Sequence, residues 1–488
     1  MLKQPYLFDD FHIKFLRRKP ASEQAKLAAK LREFHSKSFD QLEAIFGCFM
    51  DTKALKPSES GSFSRRRCFS LRNTFWMFLK QSLSADHSCR AALQEFQATM
   101  AERNLPIPTS CTGAYAKARQ KLPLELIEAQ LTHTMYLADE QNEDTEGFEK
   151  HRVITVDGTG FSMPDTEANQ KEWPQPSGQN EGCGFPVLKL VGAFYLNSGV
   201  LMDYAISDLH SHELRTFRSM KNSFKSGDIL LGDRAYCSFA DMGLYKLEGI
   251  DSVLRLHQAR SFSRSGKCIK RHSKNDQVFR WTKPKARPKS FGPEEWDRVP
   301  ETLDIREIRI TCKDRAGQKS EVIIASTLTD AEAYPAQRIA ELYLKRWAVE
   351  TRFSELKTTM EMDVLRCKTP MMIRKELAMA FLGYNCLRLM IWEIAKATNR
   401  KIISFSFSWV LGTVRHCVPR FAMTGHKDLK RQVRELYAIL SDRTLLQRPG
   451  RSEPRVKKRR GKNFKFLTKS RSQMRECLHR NRYTATTC

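Results

Sequence analysis

No two cysteines in this chain are spaced C-x-x-C, although it holds 13 of them, and that gap argues against a zinc ribbon. Their odd number and irregular spacing also argue against a closed disulfide framework, so they read as reduced thiols of a cytosolic protein. Long hydrophobic runs are missing too. The most apolar stretch, 378–395, is interrupted by Arg388 and Glu393 and reads as a buried amphipathic helix rather than a membrane span. The N-terminal MLKQPYLFDDFHIKF has charges inside its apolar part and no long hydrophobic region, so it does not read as a signal peptide. There is no histidine cluster and no evident internal repeat. Acidic residues are in the minority, 55 against 83 Lys and Arg, for a formal charge of +28. A soluble protein that basic generally meets a polyanion, most often nucleic acid. An anionic membrane surface is the competitor, but the bases are not gathered on one amphipathic anchor helix.

What is present is enough apolar residue, 41 %, for buried cores, in a chain of 488 residues that exceeds one ordinary domain. Residues 1–145 carry apolar residues at helical spacing in 39–49, 71–83 and 124–138. Basic segments at 64–72 and 108–121 lie between them, which suits a helical DNA-binding module as well as an ordinary helical cap. From His151 the texture becomes β-rich. RVITVDGTGFSM, 187–196 and 200–207 read as strands, with a hairpin turn at Asn197-Ser198-Gly199. A helix over 211–224, a strand in 228–239 that ends at Asp233, a short helix over 240–247 and a strand over 251–256 come next. The order predicts an α/β fold, a mixed sheet with flanking helices. The expected divisions are a core part over 146–256, a β-rich insertion over 257–328, and a second core part over 329–400. A C-terminal helical region over 401–446 and a basic tail over 447–488 complete the chain.

Chemistry concentrates in YLKRWAVETRFSELK, residues 343–357. On a regular helix turning about 100° per residue, Tyr343, Arg346, Glu350 and Lys357 fall within a sector of about 60°. One carboxylate between two cations and a phenol suits a phosphodiester with its metal ions. A solvated helix with charge pairs would carry the same residues. Two aspartates decide between them: Asp157 after the apolar VITV and Asp233 after ILLG, both read as strand-end residues that a sheet would deliver to one edge. Three carboxylates without a histidine cluster favour Mg²⁺, with Mn²⁺ as a substitute. Two such ions, roughly 4 Å apart, serve in-line phosphoryl transfer. Asp165, Asp203 and Asp228 read as turn or surface residues.

The segments VDGTGFSMPD (156–165) and LLGDRAY (230–236), with Tyr343-x2-Arg346-x3-Glu350-x6-Lys357, resemble the insertion-sequence-4 type of DDE transposase and its YREK signature. The continuation 356–370 and the tail 448–460 are similar as well, so the resemblance spans about residues 60–465. It implies an RNase H-like core in which Asp157, Asp233 and Glu350 bind metal, and Tyr343, Arg346 and Lys357 hold DNA phosphates. It also implies a β-rich insertion in which Trp281 or Trp296 could stack on a flipped base, or simply be buried. The implied activity is cut-and-paste transposition: metal-dependent cleavage at transposon ends, then strand transfer into target DNA, by a protein at least dimeric on DNA. A metal-dependent nuclease without strand transfer and a non-catalytic DNA-binding regulator are the alternatives.

Overall fold

A computed structural model describes residues 40–442 apart from 57–58, 65–66, 103, 143–147, 149, 258–265, 314–318 and 422–425, together with 444, 468–470 and 473. The basic run at Arg65 and Arg66 and nearly all of the tail beyond 447 lie outside the described residues.

The helical N-terminal part comprises α1 (Asp40–Phe46), α2 (Leu71–Leu83), α3 (Cys89–Glu102), α4 (Gly113–Lys121) and α5 (Leu124–Asn142). Ser70 starts α2 in the usual way, its hydroxyl accepting from the Asn73 N–H at 3.2 Å. The sheet begins with β1 (Val153–Ser162), the short α6 (Glu167–Glu172), β2 (Val187–Tyr195), β3 (Leu201–Asp208), α7 (Glu213–Arg218), β4 (Ile229–Gly232), α8 (Phe239–Leu247) and β5 (Asp251–Arg255). Four further strands, β6 (Lys267–Ser273), β7 (Asp276–Thr282), β8 (Thr302–Lys313) and β9 (Lys319–Ser326), carry α9 (Pro293–Arg298) between β7 and β8. The remaining helices are α10 (Ala336–Leu344), α11 (Ala348–Ser354), α12 (Pro370–Thr398), α13 (Phe407–Phe421) and α14 (His426–Asp442).

Among the described residues, nine strands form one sheet in the order β3-β2-β1-β4-β5-β9-β8-β7-β6. β1, β2 and β3 are antiparallel neighbours, while β4 lies parallel to β1 and β5 parallel to β4. This 3-2-1-4-5 order with three antiparallel and two parallel strands is the RNase H-like arrangement. The apolar runs Val153–Val156 and Ile229–Leu231 are buried throughout because helices cover both faces where strands run parallel. The strands of the 257–328 region do not form a separate sheet. β9 pairs antiparallel with β5, and β8, β7 and β6 extend the sheet beyond it.

The apolar helix read from 378–395 is the centre of the molecule. α12 opens on Pro370, closes at Asn399 in the left-handed region (φ 50°), and 94 % of its most hydrophobic window is buried. Asn385 ties it to two other layers: its side chain exchanges hydrogen bonds with the backbone of Leu201 and donates to Thr134 on α5.

Two local expectations change. The single helix over 211–224 is the six-residue α7 plus a short 3₁₀ turn at Lys221–Ser223. The segment 343–357 is not a regular α-helix: a 3₁₀ turn spans Lys345–Trp347 and a π-turn spans Glu355–Thr359. A 3₁₀ turn advances about 120° per residue, so a wheel drawn at 100° misplaces the residues beyond it.

Candidate active site

The floor of the site is set by sheet register. Val153, Ile154 and Thr155 of β1 face Ile229, Leu230 and Leu231 of β4. Carrying that register two residues on puts Asp157 level with Asp233. β4 ends at Gly232, whereas β1 runs on to Ser162 against β2, so Asp157 is an interior strand residue that outlasts one neighbour, not a strand end. Asp233 is the residue on which β4 leaves the sheet, and it starts the 3₁₀ turn Arg234–Tyr236. Both carboxylates reach one crevice because the shorter strand stops where the longer continues.

Charge in this crevice is poorly compensated. Burial pushes the Asp157 carboxyl up to about 6, opposed by the adjacent Gly158 N–H, which donates to Asp157 Oδ1 at 2.9 Å. The neighbouring Glu213 and Asp233 carboxylates push it in the same direction as burial, and the Arg346 guanidinium pulls it down.

The segment carrying Arg346 and Glu350 packs over β1 through Val349 and Phe353. Tyr343 is buried and its phenol hydrogen-bonds Arg346; burial raises its ionisation above the usual phenolic range. Arg346, also buried, lies with Nη2 3.3 Å from Glu350 Oε1, and its Nε has no partner among the described residues. Glu350 stands at the mouth, its side chain 56 % exposed. Lys357 turns the other way, donating to Gly160 O at 2.9 Å and to Thr159 Oγ1 at 3.4 Å, and pairing with Asp363 at 2.9 Å. The four residues therefore do not share one equally placed face. Tyr343 and Arg346 form the wall, Glu350 the rim, and Lys357 clamps β1 beyond Asp157.

The two tryptophans are elsewhere. Trp281 is fully buried in the extended sheet, its Nε1 donating to Glu307 at 3.1 Å. Trp296 is 9 % exposed and packed edge-on against Phe291. Neither presents a face on which a base can stack, which corrects that expectation for both. An exposed indole does stand at the site. Trp347, 42 % exposed, has the Arg346 guanidinium 5.1 Å from its ring centre. Asp228 is likewise no surface residue: it is 2 % exposed and holds Arg152 through two short contacts. Of the bases on α4, Arg119 is buried between Cys89 and Cys367, leaving Lys117 and Lys121 exposed.

One carboxylate is invisible to sequence reading. Glu213, at the start of α7, accepts from the Tyr236 hydroxyl and lies against Gly158. Among the described residues no three His, Cys, Asp or Glu side chains converge closely enough to hold one ion. The donor chemistry nonetheless fits a hard divalent cation, since a desolvated carboxylate such as Asp157 with other acids nearby is what such an ion relieves.

Residues 148–386 match the family model of the transposase DDE domain. The transposase InsG for insertion sequence element IS4 of Escherichia coli (strain K12) is 22 % identical over 410 residues, 83 % of this chain and 88 % of that protein. A solved piggyBac transposase synaptic complex with hairpin DNA aligns over 84 % of each chain with a TM-score of 0.40 and 10 % identity. DDE domains depend on divalent metal and act on DNA. The chain is a DNA-cleaving DDE transposase of the insertion-sequence-4 type.

Proposed function

We propose that Asp157, Asp233 and Glu350 are the catalytic carboxylates of a cut-and-paste reaction that uses Mg²⁺, with Mn²⁺ as a substitute. The observation that carries this reading is the register of β1 and β4, with Asp157 desolvated and level with Asp233 beneath the segment bearing Glu350. Ions bound by these side chains would supply Lewis-acid activation of the nucleophile and neutralise charge on the leaving oxygen.

The rest is work for the protein's own groups. A water oxygen bonds to phosphorus at the transposon end while the bond to the 3′-oxygen breaks, leaving a 3′-hydroxyl and a 5′-phosphate. That hydroxyl oxygen then bonds to a target phosphorus in the same crevice while the target's own bond from phosphorus to its 3′-oxygen breaks, which leaves a 3′-hydroxyl on the target strand. Arg346, with an unused Nε, faces the position of the scissile phosphate, and Tyr343 keeps its guanidinium in place. Lys357 first holds the end of β1 and exchanges Asp363 for a phosphate when DNA enters. Exposed bases on the extended sheet and its following loop, Lys267, Lys270, Arg271, Lys285, Arg287 and Lys289, grip backbone phosphates without reading sequence. Recognition of the terminal repeats belongs to the helical N-terminal region, and pairing of two ends makes the working form at least a dimer. The protein works in the cytoplasm of its host.

Terminal-repeat DNA, a target plasmid and Mg²⁺ test this reading. The unmodified protein is expected to give cleaved ends and joined products. Asp157→Ala, Asp233→Ala and Glu350→Ala are each expected to lower cleavage by roughly a thousandfold or more while DNA binding persists. Cleavage without any joined product favours a plain nuclease, and no cleavage by the unmodified protein favours a regulator.

A further inference from the structure

The π-turn at Glu355–Thr359 interrupts the chain between Glu350 and the end of the segment. Such turns are rare, and single ones inside helices gather at working sites. Here the Met360 N–H donates to Glu355 O, five residues back, at 2.8 Å, and the Asp363 N–H donates to Lys357 O, six residues back, at 3.3 Å. Seven steps of a regular α-helix would return Lys357 to within about 20° of the side that bears Glu350. The wider turn shifts it off that side and towards β1. There its ammonium donates to Gly160 O at 2.9 Å and stands 5.5 Å from the centre of the Phe161 ring. The same turn folds Asp363 back to within 2.9 Å of that ammonium.

Glu355, whose carbonyl accepts the first of these bonds, is gripped by its side chain from two directions. Its Oε1 accepts from Arg352 Nη1 at 3.3 Å, and its Oε2 accepts from Arg388 Nη2 of α12. Arg388 is anchored in turn. Its Nε donates to the Tyr384 hydroxyl at 3.2 Å, which donates to Gly199 O in the β2–β3 turn at 2.7 Å, and its guanidinium lies 5.0 Å from the centre of the Phe407 ring. The β2–β3 turn also leaves room for Arg352, because a Cβ on Gly199 (φ 70°) would lie 2.6 Å from Arg352 Nε. A buried ion pair adds little net stability over apolar packing, so its position asks for another cause. The position is the first residue of the π-turn, two residues before Lys357.

We propose that Glu355 is a positioning residue for DNA binding: clamped by Arg352 and Arg388, it holds the π-turn open and so sets the Lys357 ammonium at the end of β1, where a DNA phosphate replaces Asp363. The inference rests on the reading of Lys357 as a phosphate-binding residue and adds the device that aims it. It also gives the buried arginine of α12 a task in substrate binding, although Arg388 touches no DNA itself.

The test is a double-mutant cycle on the full-length protein, read as binding of fluorescent terminal-repeat DNA without metal at about 0.1 M salt. Wild type, Lys357→Met, Glu355→Gln and the double variant are compared. Lys357→Met is expected to weaken binding by about five- to tenfold, the counterion release of one phosphate contact. Glu355→Gln is expected to weaken it by a similar factor, although removing an acid from the protein would by charge alone tighten its hold on DNA. The double variant is expected to bind no more weakly than Lys357→Met, because no ammonium is left to aim. If Glu355→Gln binds as tightly as wild type or tighter, or if the two losses multiply in the double variant, Glu355 does not act through Lys357 and the proposal is overturned. If Lys357→Met binds like wild type, the phosphate reading of Lys357 fails first and takes the proposal with it. Glu355→Gln leaves two buried guanidinium groups without their carboxylate. Should its circular dichroism differ from that of wild type, Tyr384→Phe takes its place in the cycle, since it keeps the ion pairs and loosens only the anchor of Arg388. Its expected loss is about twofold, the scale of one hydrogen bond, and is absent when Lys357 is already Met. A loss that persists in the Lys357→Met background, or no loss at all, overturns the proposal in that arm.

Discussion

The two ends of the parallel strands β1 and β4 treat charge in opposite ways. At the entering end, Arg152 is gripped by Asp228 through Nε and Nη2 and by Asp139 through Nη1, and Lys225 reaches the other oxygen of Asp139. Although burial alone would raise the Asp139 carboxyl, the hydrogen bonds from Lys225 and Arg152 hold it below the usual carboxylate range. At the leaving end, a few residues along the same strands, burial pushes Asp157 up to about 6, the carboxylates of Glu213 and Asp233 push it the same way, and the Arg346 guanidinium pulls it down. The first end is complete as it stands. The second is left with its negative charge in excess, the pattern in which perturbed carboxylates mark a candidate working site.

The sharpest way to break this contrast is to remove one partner from each end. Asp228→Asn leaves the buried Arg152 short of its main counter-charge and should cost about 3–5 kcal/mol in urea unfolding. Asp157→Asn should do the reverse. In metal-free protein at pH 7.5 it should stabilise by on the order of 1–2 kcal/mol, the shift being discounted for partial exposure. The sign comes from a folded value near 6 against an ordinary 3.8. The protonated carboxyl's favourable contribution is fully present below about pH 4 and is lost as pH rises through 6. The gain from Asp157→Asn should therefore be complete above pH 6 and disappear between pH 6 and pH 4, as thermal melts across that range would record. A destabilised Asp157→Asn at pH 7.5 would sink the comparison. The smallest effect belongs to Lys225→Met. Lys225 is 63 % exposed, so losing its pair with Asp139 should cost under about 1 kcal/mol, and less in high salt.

The same contrast explains what could be read in the sequence. Asp157 and Asp233 stand out because each ends an apolar run, and an acid next to buried β-branched and leucine residues has few bland explanations. The strand–strand–strand–helix–strand–helix–strand order was legible for the same reason, since periodicity is local. Glu213 was not legible. Its neighbours Arg215 and Arg218 make it look like one member of a charged helix, and its meeting with Gly158 is made by sheet packing between segments far apart in the chain. Asp228 looks like a turn residue because its partner Arg152 is 76 residues away. The tryptophans sit in polar sequence, yet each finds an apolar neighbourhood, one under Glu307 and one beside Phe291. The wheel over 343–357 misplaced Glu350 and Lys357 because no simple sequence signal announces a 3₁₀ turn at Lys345 or a π-turn at Glu355.

The position of α12 sets the order in which this machine can be assembled during synthesis. Both aspartates and all nine strands leave the ribosome before it, yet the helix they close upon ends only at Thr398. Until Asn385 arrives, Leu201 on the sheet and Thr134 on the helical layer have no common partner. A nascent chain therefore carries every acid of the crevice for some time without the means to align them. The enzyme becomes competent to cut DNA only after the chain has been made past Thr398.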